Sequence, residues 1–209
     1  MSLRRRLVSP ALAITALLLL FRPGPVTAAE FRAEATLMRN GRPQAARLLV
    51  KGDRQRLETL DVFGQEQVLI SNPGQGLTLL VYPKNKAYMR IPAVAAVSPI
   101  GDDEEGLRKI GTRKLLGREM KNGYQCDKYE VVFHNRLRGR MLVWVAEKLD
   151  YPILMIQVGG LASGLVRELR DIREEKLDDA LFELPPGYEL QKKPVQGFCG
   201  AGVCTISFY

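Results

Sequence analysis

Histidine is almost absent from this sequence, since His134 is the only one among its 209 residues. A single histidine cannot supply a metal site that is built from several histidines. A Ser-His-Asp triad would need His134 beside a serine, and none of the available serines lies in a nucleophile-elbow pattern. Those serines are Ser71, Ser98, Ser163 and Ser207. We therefore expect His134 to be a surface residue at the end of a strand.

Other motifs of catalysis and cofactor binding are missing too. The chain has no glycine-rich phosphate-binding loop, and the acidic residues 102–105 do not have the spacing of a calcium-binding loop. Those acids, followed by Arg108 and Lys109, fit the start of a short helix. Paired-carboxylate catalysis leaves no local signature, because its partners can come from distant strands, and nothing in the sequence points to it. We expect a binding protein that is not an enzyme and that holds no metal and no cofactor.

No apolar run in the sequence approaches the length of a membrane-spanning helix, and a short apolar run lies near the start. Three arginines at residues 4–6 precede the apolar residues 11–21, and the small residues 26–29 follow two prolines. This order is typical of a secretory signal peptide, and we expect cleavage after Ala28 or one residue later. Eleven apolar residues are too few for a membrane-spanning helix, which needs about 20. We expect a periplasmic protein with no transmembrane segment after processing; secretion from the cell is the alternative.

Neither sign of charge is in large excess once this leader is set aside. Residues 1–28 carry four of the 31 basic residues and none of the 23 acidic ones, which leaves 27 against 23 and a net charge of +4. Basic and acidic residues are interleaved, so we expect no nucleic-acid partner. The basic residues 136–140 are expected to form a solvated turn and strand face, with weak contact to anionic lipid headgroups as the alternative.

Cysteine is also scarce, with only Cys126, Cys199 and Cys204. In an oxidising compartment a close pair is expected to form a disulfide. Cys199 and Cys204 enclose four residues, two of them glycine, so we predict a disulfide between them that contributes roughly 2 kcal/mol. Cys126 is expected to be a free, partly buried thiol, and its pairing with a tail cysteine is an open alternative. A redox role lacks the two-residue spacing of thioredoxin-like motifs.

What the sequence does contain is a repeated strand-and-turn pattern. Residues 31–38 alternate between apolar and mostly polar side chains, which is the period of a strand with one buried face. Asn-Gly pairs at 40–41 and 122–123 are strong hairpin signals. Residues 141–145 and 151–158 are apolar on both faces, which indicates strands that are covered on both sides.

Two segments interrupt this pattern. Residues 92–117 lack a period of two and are expected to form a mixed loop and short helix, with a strand predicted from residue 114 to residue 121. Residues 178–182 predict one helical turn that inserts Phe182 into the core. We predict a mainly β protein, with a curved antiparallel sheet forming an incomplete, half-open β-barrel whose concave face is covered by short helices. The predicted domains are a signal peptide at 1–28, one half-barrel domain at 29–190, and a glycine- and cysteine-containing tail at 191–209.

Several stretches resemble those of the periplasmic lipoprotein-carrier superfamily, the LolA-like proteins, and in particular an uncharacterised branch of it. The stretches are LVKGDRQRLE at 49–58, LVYPKNKAY at 80–88, GRE at 117–119, GYQCDKY at 123–129, VWVA at 143–146, LDYPI at 149–153 and FELPPGY at 182–188. Their order is moderately specific, and it covers residues 31–190 but not the cysteine-containing tail. The resemblance implies a half-open antiparallel barrel with a helical lid and an apolar hollow for acyl chains.

Two functions are compatible with this pattern. The first is a monomeric, non-catalytic periplasmic binder of a lipid, a lipoprotein acyl chain or another apolar ligand, with residues 92–100 as the candidate lid. Its candidate lining residues are Leu37, Leu57, Leu79, Tyr88, Val131, Phe133, Met141, Val143 and Met155. The second is a structural or sensory module of an envelope protein complex, with edge strands such as the first strand and the tail as contact surfaces.

Overall fold

The computed structural model describes residues 29–39, 41–61, 63–91, 104–160, 163–191, 197–200 and 203–206. The expected leader at 1–28 and the candidate lid at 92–100 lie outside the described residues. Within them, no helix is both long and apolar enough to span a membrane.

Most of the described chain forms one large β-sheet. Its twelve strands are β1 (Glu30–Arg39), β2 (Arg42–Lys51), β3 (Arg54–Leu60), β4 (Glu66–Asn72), β5 (Leu77–Tyr82), β6 (Ala87–Ile91), β7 (Gly111–Lys121), β8 (Tyr124–Phe133), β9 (Arg140–Ala146), β10 (Tyr151–Val158), β11 (Gly164–Glu174) and β12 (Glu189–Leu190). The helix α1 (Glu104–Ile110) precedes β7, and 3-10 turns lie at Pro73–Gln75, Pro83–Asn85, Arg136–Arg138 and Asp179–Phe182. The strands β13 (Gly197–Gly200) and β14 (Val203–Ile206) form a separate antiparallel pair.

The order of strands across the large sheet is β12-β6-β5-β4-β3-β2-β1-β11-β10-β9-β8-β7. All neighbouring strands are antiparallel except for the short parallel pair of β12 and β6. The strands β7 and β12 stand at opposite ends and do not pair with each other, so the described sheet is not closed into a barrel. The prediction of a mainly antiparallel β protein is therefore confirmed.

The first strand lies at the centre of the sheet and not at an edge. β1 pairs with β2 on one side and with β11 on the other. Hairpins from β1 to β6 leave one side of β1 open, and the meander from β7 ends with β11 on that open side. The expectation that the first strand is an edge strand available for contact was wrong.

The second correction concerns residues 92–117. The predicted short helix is present as α1, but β7 already begins at Gly111 and runs for eleven residues. Among the described strands, β7 stands at one end and pairs with β8 alone, and its register shifts between Leu115 and Gly117. Most of its side chains are exposed on both faces. A strand without a buried face does not need the alternation that sequence analysis looked for.

Alternation in the central strands divides the sheet into two faces. Phe31, Ala33, Ala35 and Leu37 are buried on one face of β1 and pack with Leu48 of β2. We call this the Leu107 face, because α1 places Leu107 against its β8–β10 end. The opposite face, which carries Leu49, is called the Phe182 face because Phe182 packs there.

The chain that follows β11 covers part of the Phe182 face. Leu177 and Phe182 pack on Leu49, and Leu184 and Tyr188 pack on β4 and β5. The 3-10 turn at Asp179–Phe182 is capped by Asp178, whose carboxylate accepts a hydrogen bond from Ala180 N. The predicted helical turn and its inserted phenylalanine are confirmed. We call residues 175–188 the crossing segment.

One tight turn requires glycine. Gly139, just before β9, has a φ of +67°, and a Cβ atom there would lie 2.7 Å from the backbone of Val158 and Gly159. A side chain at this position would both strain the backbone and push the end of β10 away from β9.

Candidate functional site

Five of the nine predicted lining residues come together on the Leu107 face. Val131 and Phe133 of β8, Met141 and Val143 of β9, and Met155 of β10 form one cluster with Leu107. Val131 lies directly opposite Met141, and Val143 directly opposite Met155. All five are at most 3% exposed. The cluster, which we call the Leu107 cluster, is an apolar surface three strands wide.

The described side chains of α1 that pack on this cluster are apolar. Leu107 is buried and Ile110 is partly buried against it, while Arg108 and Lys109 are exposed. His134 lies beside the last turn of α1. Its backbone N donates to Ile110 O at 2.9 Å, and its ring Nε2 lies 3.0 Å from Arg108 O. His134 is exposed, as the sequence predicted, and it contacts the C-terminal end of the helix.

A buried arginine lies next to the Leu107 cluster. Arg167 of β11 is 7% exposed and lies directly between Met155 of β10 and Leu37 of β1 in the sheet. Its Nη2 donates to Pro152 O at 3.3 Å, and its guanidinium carbon lies 5.3 Å from the centre of the Tyr151 ring. The buried Nε has no hydrogen-bond acceptor.

Arg167 was not among the site residues predicted from the sequence. The signal was present, because in the pattern of β11 this arginine occupies the same parity as Leu165 and Leu169. A charged residue in an apolar register is a candidate for a buried functional group. Because basic and acidic residues are interleaved along the whole sequence, this arginine did not stand out from the others.

The other four predicted lining residues are placed elsewhere. Leu37 and Leu57 lie on the Leu107 face but pack within the core near β1–β3. Leu79 and Tyr88 point to the Phe182 face. The structure therefore brings five of the nine residues together, leaves two on the same face at a distance, and places two on the opposite face.

Leu79 and Tyr88 line a cleft beneath the crossing segment. The cleft has a volume of about 260 Å³. Its further lining residues are Arg54, Ile70, Asn72, Gln75, Leu77, Arg90, Phe182, Glu183 and Leu184. This volume is at the small end for a ligand pocket, which usually has about 300–1,000 Å³.

Ion pairs fix the crossing segment beside this cleft. Lys51 and Arg54 both contact the Asp179 carboxylate, and Lys51 also lies 3.4 Å from Glu30. The hydrogen bond from Arg54 lowers the pKa of Asp179, with a further contribution from Lys51. The backbone N of Leu177 donates to Glu30 and lowers the pKa of that carboxyl. The hydrogen bond to Asp179 in turn raises the pKa of Lys51.

The cysteines are placed as follows. Cys126 is a free, fully buried thiol, so the alternative in which it pairs with a tail cysteine does not hold. Burial raises the pKa of the Cys126 thiol, which lowers its reactivity. Cys199 of β13 lies directly opposite Cys204 of β14. Antiparallel partners are about 4.5–5.5 Å apart at Cα, a spacing that a disulfide can bridge, so the predicted Cys199–Cys204 bond remains a prediction that the backbone register allows.

The end strand β7 exposes apolar side chains. Leu115 is 51% exposed, Leu116 46% and Met120 60%. Basic residues of the same strand lie among them, including Arg113, Lys114, Arg118 and Lys121. No group of three or more potential metal ligands is found among the residues that the structure describes.

Comparison with known proteins defines the fold. No family model matches the sequence, and no curated protein matches it. An uncharacterised conserved protein from Thermus thermophilus is similar in structure, with a TM-score of 0.55 and 11% identity over 85% of this chain and 98% of that chain. MucB, in the Pseudomonas aeruginosa MucA/MucB complex, has a TM-score of 0.50 and 16% identity over 88% of this chain and 60% of that chain. The LolA superfamily protein NE2245 from Nitrosomonas europaea has a TM-score of 0.37 and 13% identity over 76% of this chain and 91% of that chain.

A LolA superfamily protein is among the structural neighbours. The likeness in fold rests on the Thermus protein and on MucB, of which this chain spans about three fifths. At these identities the comparisons define the fold alone.

Proposed function

We propose that this protein is an exported, non-catalytic periplasmic binding protein that holds the acyl chain of a lipid or lipoprotein on the Leu107 face. The observation that carries the proposal is the Leu107 cluster, in which five buried strand residues form a continuous apolar surface against which Leu107 of α1 packs, with Ile110 beside it. An acyl chain can replace that leucine on the same surface.

The energies favour such an exchange. Full burial of one leucine is worth about 1.5–3 kcal/mol, and each buried methylene of a ligand about 0.8 kcal/mol. About four buried methylenes therefore offset the loss of the Leu107 contact, and a longer chain has a surplus. The cleft under the crossing segment is a weaker candidate, because its volume is small and ion pairs hold the segment that bounds it.

Two further features support the proposal. The amino-terminal pattern at residues 1–28 is typical of an export signal. The sequence stretches between residues 31 and 190 resemble those of the periplasmic lipoprotein carriers, and that resemblance implies an apolar hollow for acyl chains.

Lipid extraction from the purified protein tests this function. The protein is isolated after export from a bacterial host, and bound lipid is identified by mass spectrometry. We expect an acyl lipid near one equivalent, and a lower occupancy in Met155→Gln, which puts an amide into the Leu107 cluster. The matched control is Met120→Gln, because Met120 is exposed on β7. The proposal fails if the wild-type protein carries no lipid and also takes up none that is added.

A second candidate function is supported by the end strand β7. Its free edge, its exposed apolar residues and its basic residues suit the addition of an acidic, extended segment of an envelope protein as a further strand. MucB forms a complex with MucA, which makes a protein partner plausible for a chain of similar fold.

Cross-linking in the envelope tests this second function. We expect the double variant Leu115→Glu with Leu116→Glu to lose a cross-linked partner that the wild-type protein retains, because the new carboxylates repel an acidic segment. Leu137→Glu is the matched control, because Leu137 is 62% exposed but lies outside β7. Retention of the partner by the β7 variant would show that this edge is not the contact surface.

A further inference from the structure

Arg167 is a buried charge that has no counter-charge among the residues that the structure describes. Its side chain is more than nine-tenths buried, and no carboxylate among the described residues lies within ion-pair distance of it. Within the described part of the chain, its one hydrogen bond, to Pro152 O at 3.3 Å, is long, and its Nε is without an acceptor. A guanidinium group has five N–H donors, and their burial without acceptors is strongly unfavourable.

The other arginines on the large sheet show how unusual this is. Arg32, Arg118 and Arg140, for example, each contact a carboxylate at the surface. The ring of Tyr151 gives Arg167 a cation–π contact, which compensates for only part of the lost hydration. The site therefore retains donors and positive charge that an anion could satisfy.

The position of Arg167 relates it to the proposed acyl site. Arg167 lies directly opposite Met155, which belongs to the Leu107 cluster. Neighbouring strands are about 4.8 Å apart. An acyl chain that replaces Leu107 and lies across β9 and β10 would therefore end one strand spacing from the Arg167 guanidinium group.

We infer that Arg167 binds the anionic headgroup of the ligand, so that the protein selects amphiphiles with one acidic group, a carboxylate or a phosphate, next to the acyl chain. This inference rests on the proposed function and specifies its ligand class. The acyl chain covers the Leu107 cluster, and the headgroup accepts hydrogen bonds from Nε and the Nη atoms. A bidentate contact of this kind is among the strongest that a guanidinium group makes.

Calorimetric titration of the delipidated protein separates the two ideas. The probes are dodecanoate and dodecyl phosphate, each below its micelle concentration, and the neutral dodecanol, below its solubility limit. We expect one or both anions to bind about 10- to 100-fold more tightly than dodecanol. The anion that binds more tightly shows whether the preferred headgroup is a carboxylate or a phosphate. If dodecanol binds as tightly as both anions, the role of Arg167 is overturned and the acyl site stands. If none of the three binds, both proposals fail.

Two variants complete the test. Arg167→Met should bind the anions no better than dodecanol while its affinity for dodecanol is kept, and its urea midpoint should be unchanged or higher, because a buried uncompensated charge has been removed. Arg167→Lys should keep part of the preference for anions. If Arg167→Met instead loses stability and weakens all three probes equally, Arg167 has a structural role and the inference is wrong.

Discussion

The proposed acyl site makes a quantitative prediction for Leu107→Ala. Leu107 is 4% exposed and packs against Val131, Met141 and Met155 among others. Removal of a buried leucine side chain costs about 2–5 kcal/mol. We expect the lower end, about 2 kcal/mol of unfolding free energy, because α1 is short and can relax and because alanine favours a helix.

The same substitution should strengthen ligand binding. If the acyl chain takes the place of Leu107, the wild-type protein loses that packing on binding, and the variant has already lost it. About 2 kcal/mol of lower cost corresponds to roughly 30-fold tighter binding. Stability and affinity should therefore change by similar amounts in opposite directions.

Urea denaturation and titration with dodecanoate measure the two quantities. Leu177→Ala is the matched control, since Leu177 is 7% exposed but packs on the Phe182 face. The control should lose comparable stability and show unchanged affinity. A Leu107→Ala protein that is destabilised by about 2 kcal/mol and binds no more tightly than the wild type would refute the displacement of Leu107.

Three further predictions follow from the fold. The pKa of Asp179 is lowered in the folded state, so its contribution to stability is present above the ordinary carboxyl pKa and is lost as the pH falls through the folded-state pKa. Urea midpoints measured from pH 7 down to pH 2 should therefore decline less in Asp179→Asn than in the wild type. Parallel curves for the two proteins would contradict this. Gly139→Ala should destabilise the protein by more than Gly41→Ala, about 2 kcal/mol or more against about 1. Both glycines have a positive φ, but a Cβ atom meets backbone at Gly139 and open space at Gly41. Equal urea midpoints would contradict this. A truncated variant that ends after Gln191 should keep the wild-type melting temperature and dodecanoate affinity, because the strands of the large sheet end at Leu190. A loss of dodecanoate affinity would assign part of the binding site to the tail.

Part of the candidate site could be predicted from the sequence. Val131, Phe133, Met141, Val143 and Met155 were selected because they alternate along strands, and alternation identifies a shared face within a strand. Leu79 and Tyr88 lie on the Phe182 face, apart from these five candidates, because alternation alone does not say which face of one strand continues into that of another. That relation depends on the register between strands, which shifts at the bulges between β1 and β11 and between β10 and β11.

The strand pattern, the hairpin turns and the inserted Phe182 follow from the sequence alone, because they depend on local alternation, turn chemistry and capping. The central position of β1 and the isolation of Arg167 were decided only by the tertiary structure. Both depend on β11, which pairs with β1 across more than a hundred residues of intervening chain. Local sequence preferences carry no information about such a distant partner. The pairing of β11 with its neighbours determines what surrounds each of its side chains, and so it leaves Arg167 buried without a carboxylate among the described residues.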